Sequence, residues 1–386
     1  MKHQVSKRDA SVELMRIIAC FFVIFIHLGV VSFMNNSFSA SSAFLACLFS
    51  DAVAIFWFIT GAFLFQRDNY GKLIKGTIKK VFLPALALIV FIFLFDGWMF
   101  NNQSILESIK TSIQYIPNAL ECTFLWWATP VAHTGQLWYI FSYIFVMICF
   151  PLIKAFVDRI DKTHKEKSFL LISFGILLLN DFANNQFAHF NHSVIGALVP
   201  AIILIIWGHI FYKNKDKILK KFKSRYFLLA FFALVILRTI MLALNYELGD
   251  GNLDRSILYW FSCFSLLTVT SIFLFLEGTP KKITKNKLIN WLILKTASYT
   301  FLIYLLHELT IDFLKKSNTF STIQDYFMSG GNPLKAIAYY VVVGGTVFLF
   351  CLIISILLRT ISKLSKKCYK LCFTRLSKTR NKDSMI

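Results

Sequence analysis

Charged residues are scarce in this sequence, and acidic residues are the scarcest of them. Only 16% of the 386 residues are charged, whereas roughly a quarter are charged in a soluble globular domain. Hydrophobic residues make up 57% of the chain and aromatic residues 17%. This composition excludes an ordinary soluble domain and indicates an integral membrane protein.

The eight cysteines lack the regular spacing of a metal site or a disulfide framework. Most of them fall within apolar stretches, where a cysteine acts as a small apolar side chain that fills space. We therefore expect neither a bound metal nor a permanently bound cofactor.

Basic residues outnumber acidic ones by 41 to 20, which gives a net charge of +21. Nucleic-acid-binding proteins share such an excess, but here no basic stripe alternates with stacking aromatic residues. The basic residues are instead concentrated in alternate loops between apolar runs, a pattern typical of membrane topology. We expect membrane lipids as partners, and no nucleic acid.

Apolar runs long enough to cross a hydrocarbon layer of about 30 Å recur along the chain. The ten predicted membrane helices cover residues 11–33, 43–65, 81–100, 136–157, 168–183, 193–212, 226–246, 256–277, 289–314 and 334–359. The expected fold class is therefore all-α, with residues 1–386 forming a single polytopic membrane domain.

The distribution of Lys and Arg predicts the orientation of these helices. With the N-terminus inside, the inner segments carry 33 Lys and Arg residues and the outer segments carry five. Cytoplasmic loops are the ones enriched in basic residues, so both termini are expected in the cytoplasm. The basic segment 360–386 is predicted to be a cytoplasmic tail on anionic lipid, and the longest outer loop, 101–135, contains His133.

Two ionisable side chains, Arg16 and His27, lie within the first predicted helix. Eleven residues at about 100° each return to nearly the same angle, so both side chains share one helix face about 16 Å apart. Ionisable groups at membrane depth are costly and usually functional. Arg16 has an alternative as a partner of Glu13, and His27 as a packing histidine.

Further candidates follow along the chain. Asp51 and Glu308 are the carboxylates predicted to orient the His27 ring, although Asp51 would also suit a solvated position. Lys75, Lys79 and Lys80 precede Pro84 at the inner end of a predicted helix. Lysines there are usual topology signals, and they also neutralise phosphate as point charges.

Taken together, these segments resemble the membrane-bound acyltransferase 3 family, in its branch of surface-polysaccharide O-acyltransferases. The matching patterns are Arg16-x10-His27, FWFITGAFLF around Thr60, the lysine pair before Pro84, LWY at Leu137–Tyr139 with the later Pro151, WGHIFYK, and SYTFLIYLLH, which contains Tyr304 and His307. They occur in the expected order from about residue 11 to 314. Thr60 stands where Ser is usual, Ala54 where Pro is common, and Lys79 and Lys80 where Arg is more common.

The resemblance implies an acyl-CoA donor from the cytoplasm, with acetyl expected and succinyl as the alternative, and a glycan acceptor. It also implies the cytoplasmic membrane of a bacterium and partner proteins of glycan assembly. Donor binding is predicted for Arg16, Lys75, Lys79 and Lys80. Acceptor binding is predicted for Thr60, His133, Trp138, Tyr139, Tyr304 and His307.

His27 is the predicted catalytic residue, because imidazole titrates near working pH. It would serve as a general base, with a covalent acyl-histidine as the variant. Arg16 and either Asp51 or Glu308 complete the predicted catalytic set.

Two other classes of protein fit the composition. A polysaccharide exporter or flippase would share the basic inner loops, and it would line many helices with polar residues. A membrane sensory or scaffold domain would need no pairing of Arg16 with His27. The clustering of polar residues at a few positions favours the acyltransferase.

Overall fold

The computed structural model describes residues 9–29, 40–100, 103–111, 113, 137–184, 194–248, 262–279, 286–316, 318–328 and 332–383. Within these ranges the regular structure is helical, with no strand. The helices are α1 (Ala10–His27), α2 (Ala40–Phe49), α3 (Ala52–Leu64), α4 (Tyr70–Thr77), α5 (Leu83–Phe100), α6 (Trp138–Ile148), α7 (Phe150–Thr163), α8 (Glu166–Asn184), α9 (Val194–Lys221), α10 (Ser224–Leu248), α11 (Cys263–Gly278), α12 (Lys287–Ala297), α13 (Thr300–Lys315), α14 (Asn318–Met328), α15 (Pro333–Tyr339) and α16 (Gly345–Asp383). Five-residue π-helical turns, Ile78–Phe82 and Tyr340–Gly344, join α4 to α5 and α15 to α16.

Each of the ten predicted membrane helices overlaps at least one of these helices, and the all-helical fold of a membrane protein is confirmed. By length and composition, four helices in the described ranges are suited to cross a membrane, or six if each of two bent pairs is one span. The four are Ala10–His27, Ala40–Leu64, Ser224–Glu247 and Leu334–Ser362. The count of ten spans and the cytoplasmic termini stay predictions.

The first helix is shorter at its C-terminus than the predicted range 11–33. It ends at His27, and Gly29 follows with a positive φ of 95°. Glycine adopts this conformation without a steric penalty and commonly ends helices. His27 is therefore the last residue of α1 rather than a residue three-quarters of the way along the helix.

The predicted helices 136–157 and 289–314 are each broken into two. The angle between α6 and α7 is 66°, and the angle between α12 and α13 is 59°. Pro151 at the first break has no N–H to donate. At the second break, Ser298 and Thr300 donate their hydroxyls to the carbonyl oxygens of Lys295 and Ala297, at 2.7 and 2.9 Å.

The core is organised around α1 and α3. The first of these contacts α2, α3, α11, α12, α13 and α16. Helix α3 packs along α9 at very short range. A Cβ added at Gly61 would lie only 1.8 Å from the carbonyl oxygen of Ile205. A Cβ on Gly208 would lie 1.9 Å from the carbonyl oxygen of Phe58. Small residues permit such approach of membrane helices, as the sequence predicts for Gly61.

Candidate active site

A cavity of about 630 Å³ opens among six segments of the bundle. Its walls come from α1, α3, the Ile78–Phe82 turn with the start of α5, α6, the break between α12 and α13, and α16. Its polar and charged lining residues are Arg16, Thr60, Lys80, Tyr139, Tyr143, Ser298, Thr300, Tyr304 and Arg359. A cavity of this size falls in the range of small-molecule and cofactor sites.

Three cations, Arg16, Lys80 and Arg359, line this cavity, and we call them the cationic mouth. Arg16 forms an ion pair with Glu13, which lies one turn earlier on α1. Arg359 donates a hydrogen bond of 2.9 Å to the Ser298 hydroxyl. Lys80 and Arg359 belong to segments that the Lys and Arg distribution predicts at the inner side of the membrane, and Arg16 lies near the inner end of the first predicted helix.

Local backbone structure decides which of the neighbouring lysines reaches the cavity. Lys79 and Lys80 both lie in the π-helical turn Ile78–Phe82, and π-helical turns are frequent at functional sites. All three lysines are exposed, but Lys80 lines the cavity, whereas Lys75 and Lys79 lie outside its lining. Of the three lysines predicted to bind the donor, the structure therefore brings only Lys80 to the cavity.

A second group of ionisable residues joins the end of α1 to α13. The Nδ1 atom of His27 lies 2.9 Å from Oε1 of Glu308, and their side chains are 32% and 17% exposed. Because Tyr304 lines the cavity and precedes Glu308 by four residues, both lie on one face of α13. Arg16 thus lines the same cavity as residues of α13, and His27 pairs with Glu308 of that helix.

The contact with Glu308 selects the reactive nitrogen of His27. A carboxylate only accepts hydrogen bonds, so Nδ1 of a neutral His27 carries the proton and donates it. The lone pair then resides on Nε2, which is the ring nitrogen left free to accept a proton. Glu308 also stabilises the imidazolium that results.

His307 lies behind Tyr304 and beside His27. Its ring is fully buried, its centroid is 4.9 Å from that of His27, and it is 5.6 Å from the Tyr304 ring. Its Nδ1 faces the carbonyl oxygen of Tyr304 at 2.5 Å. Its Nε2 has no hydrogen-bond partner among the described residues.

Other predicted site residues fall inside and outside the cavity. Thr60, Tyr139 and Tyr304 line it. Trp138 is not in its lining, and its ring packs edge-on against that of Tyr139, with centroids 6.2 Å apart. His133 lies outside the described residues.

Asp51, one of the two carboxylates predicted to orient His27, belongs to a different cluster. Arg238 donates to both of its carboxylate oxygens at 2.9 Å, and Ser265 donates to Oδ1 at 2.6 Å. Thr268 donates a further hydrogen bond. Arg238 is completely buried and Asp51 nearly so. The assignment of Asp51 to His27 is therefore corrected: the carboxylate at His27 is Glu308, and Asp51 neutralises a buried guanidinium.

Two residues of the cavity lining, Arg359 and Ser298, were not predicted from the sequence. Arg359 was counted only as a topology signal at the end of the last predicted span. Its guanidinium lies 5.0 Å from the Tyr299 ring, which adds a cation–π contact to the hydrogen bond with Ser298. The sequence signal was an arginine at the inner end of an apolar helix, a position open to an anionic ligand.

The Asp51 cluster makes a prediction about stability. Replacing Asp51 by Leu leaves Arg238 buried without its carboxylate, which costs about 3 kcal/mol or more. The double variant Asp51→Leu with Arg238→Met removes both charges and is expected to recover most of the loss. Thermal unfolding in detergent micelles measures both effects. Wild-type stability of the single variant, combined with lost activity, would instead indicate a catalytic Asp51.

One of the comparisons with known proteins identifies the family of this chain. The family model described as "Acyltransferase domain" matches residues 9–356. No curated protein and no solved structure matches the chain. Since the match spans most of the sequence, and includes every described residue of the cavity except Arg359, the chain belongs to the acyltransferase 3 family.

Proposed function

We propose that this membrane acyltransferase moves an acyl group, acetyl in the first instance, from cytoplasmic acyl-CoA to a hydroxyl of a cell-surface or lipid-linked glycan. The observation that carries the proposal is the arrangement of one cavity. Three cations line its mouth, and the residue at its inner wall, Tyr304, lies one helical turn from Glu308, the partner of His27.

The cationic mouth suits the phosphates of CoA. Arginine forms paired hydrogen bonds with phosphate oxygens, and lysine adds a point charge. Arg16 shares its charge with Glu13, so Lys80 and Arg359 supply the larger part of the attraction. The pantetheine arm then extends through the cavity toward the His27 end of α1, which lies roughly 16 Å from Arg16 along the helix axis.

The pair of His27 and Glu308 suits general-base catalysis. Nε2 of His27 accepts the proton of the acceptor hydroxyl while the hydroxyl oxygen attacks the thioester carbonyl carbon. The carbon–sulfur bond then breaks, and the thiolate takes the proton from His27 to leave as free CoA. An acyl-histidine formed on Nε2 is the variant in which His27 attacks the thioester first.

Export of a polysaccharide is the alternative function from another class. An exporter has no need of a histidine that a carboxylate holds in one tautomer at the end of a cavity with a cationic mouth. Membership of an acyltransferase family favours transfer over export.

The role of His27 is tested by transfer of radiolabelled acetyl groups from acetyl-CoA to envelope glycan in membranes. His27→Ala is expected to lower the rate by about 100-fold or more, because a positioned base contributes at least that factor. Glu308→Gln is expected to lower it as well, since the amide stabilises no imidazolium.

The matched control is His164→Asn. His164 is exposed at the end of α7 with a φ of 54°, a conformation that asparagine tolerates. This variant should transfer as much radiolabelled acetyl to the glycan as the wild type does. Equal label in His27→Ala at matched protein levels would remove His27 from the mechanism. No label in any sample would contradict acetyl transfer, and a glycan translocation assay would then test the exporter.

The role of the cationic mouth is tested by replacing two neighbouring lysines, one inside the cavity lining and one outside it. Lys80→Ala is expected to raise KM for acetyl-CoA roughly fivefold to tenfold, because a partly solvated ion pair contributes about 1 kcal/mol. The effect should shrink at high salt, which screens exposed charges. Lys79→Ala removes the same charge outside the cavity and should leave KM unchanged. Equal effects of both variants would contradict phosphate binding in the cavity.

A further inference from the structure

Three aromatic rings meet at the wall of the cavity that faces His27. Phe56, Tyr139 and Tyr304 all line the cavity, and each is at most 9% exposed. Their ring centroids are separated by 5.9 Å for Phe56 and Tyr139, 6.1 Å for Phe56 and Tyr304, and 5.7 Å for Tyr139 and Tyr304. We call these three residues the ring triad.

The ring triad is closed. Three centroids at these separations lie about 3.4 Å from their common centre, and two carbon atoms in contact are already about 3.5–4.0 Å apart. A group that approaches from the cavity therefore meets ring faces and edges rather than an opening.

The position of the ring triad along its helices places it between the mouth and His27. Ser298, just before α13, and Thr300 at its start line the cavity at the Arg359 end, and Tyr304 is the last lining residue before His307 and Glu308. The Tyr304 ring contacts His307, which in turn contacts His27.

On α3 and α6 the order is the same. On α3, Phe56 lies one helical turn before Thr60, which also lines the cavity. Phe56 is therefore farther along the chain from Lys80 than Thr60 is. Tyr139 lies near the start of α6, one turn before Tyr143, another lining residue. Each member of the ring triad is thus the lining residue of its helix that lies farthest from the cationic mouth.

We propose that the ring triad sets the size of the acyl group that the enzyme transfers. This inference rests on the proposed function, because it takes acyl-CoA to enter through the cationic mouth with its acyl end leading. The acyl tail then meets the ring triad first. A two-carbon acyl group leaves its carbonyl carbon close to the wall, whereas each added methylene holds that carbon farther from His27.

The consequence for rate is large. A displacement of about 1 Å at the reacting atoms costs on the order of 100-fold, and one methylene in a shaped apolar pocket changes specificity by roughly 10-fold to 200-fold. The wild-type protein is therefore expected to prefer acetyl-CoA to butyryl-CoA by at least about tenfold in kcat/KM.

The experiment measures kcat/KM for acetyl-CoA and butyryl-CoA in membranes with wild type, Phe56→Ala and Tyr139→Ala. Removing either ring makes room, and the ratio of butyryl to acetyl transfer is expected to rise at least about tenfold. Two separate ring variants keep the test valid if one of them fails to fold. Tyr304→Phe keeps the ring and loses only the hydroxyl, so its ratio should stay at the wild-type value.

The control for a general loosening of the cavity is Ile59→Ala. Ile59 lines the same cavity from α3 and lies outside the ring triad, so the ratio should not change whatever happens to KM. An unchanged ratio in both folded ring variants, or an equal rise in Ile59→Ala, would overturn the inference and leave the proposed function intact. Absence of transfer from either acyl-CoA in the wild type would overturn the proposed function together with the inference.

Discussion

The rest of this structure depends on one constraint, which is that an ionised group within an apolar bundle needs a partner inside the protein. An unpaired charge at bilayer depth costs several kcal/mol. Arg238 meets this constraint through Asp51, Arg16 through Glu13, and His27 through Glu308. The pairs of Arg238 with Asp51 and of His27 with Glu308 tie together helices that are far apart in sequence, and all three pairs fix which side chains are left to act on a ligand.

The three ion pairs differ in how accessible their side chains remain to a ligand. Arg238 and Asp51 are buried and surrounded by hydroxyl donors, so the pair joins α10 and α11 to the start of α3. Arg16 and His27 are partly exposed. The same helix, α1, thus carries a cation to the cavity and an imidazole to Glu308 of α13, and it does so from the centre of the bundle.

Much of this arrangement follows from the sequence. Apolar run length predicts where the helices lie, and the eleven-residue spacing predicts that Arg16 and His27 share one face of α1. The close approach at Gly61 also follows, because glycine amid bulky aromatic residues is typical of tight helix packing. These features are local, and local periodicity encodes them.

The features that the sequence did not predict are those that depend on tertiary packing. Asp51 and Glu308 are equivalent as carboxylates in apolar helices, and only the packing of α10 and α11 against α2 and α3 assigns Asp51 to Arg238. Lys79 and Lys80 are equivalent in sequence, and the π-helical turn alone decides which of them reaches the cavity. Arg359 lines that cavity because α16 packs against α13, a contact between distant parts of the bundle.

The central claim is that one cavity holds acyl-CoA by its phosphates and presents its acyl group toward His27. The most direct test is a cryo-electron microscopy structure with a thioether analogue of acetyl-CoA, which resists transfer. The account predicts phosphate density at Arg16, Lys80 and Arg359, and the acyl end of the analogue against the ring triad. Analogue density outside this cavity, or with its phosphates at the His27 end, would contradict it.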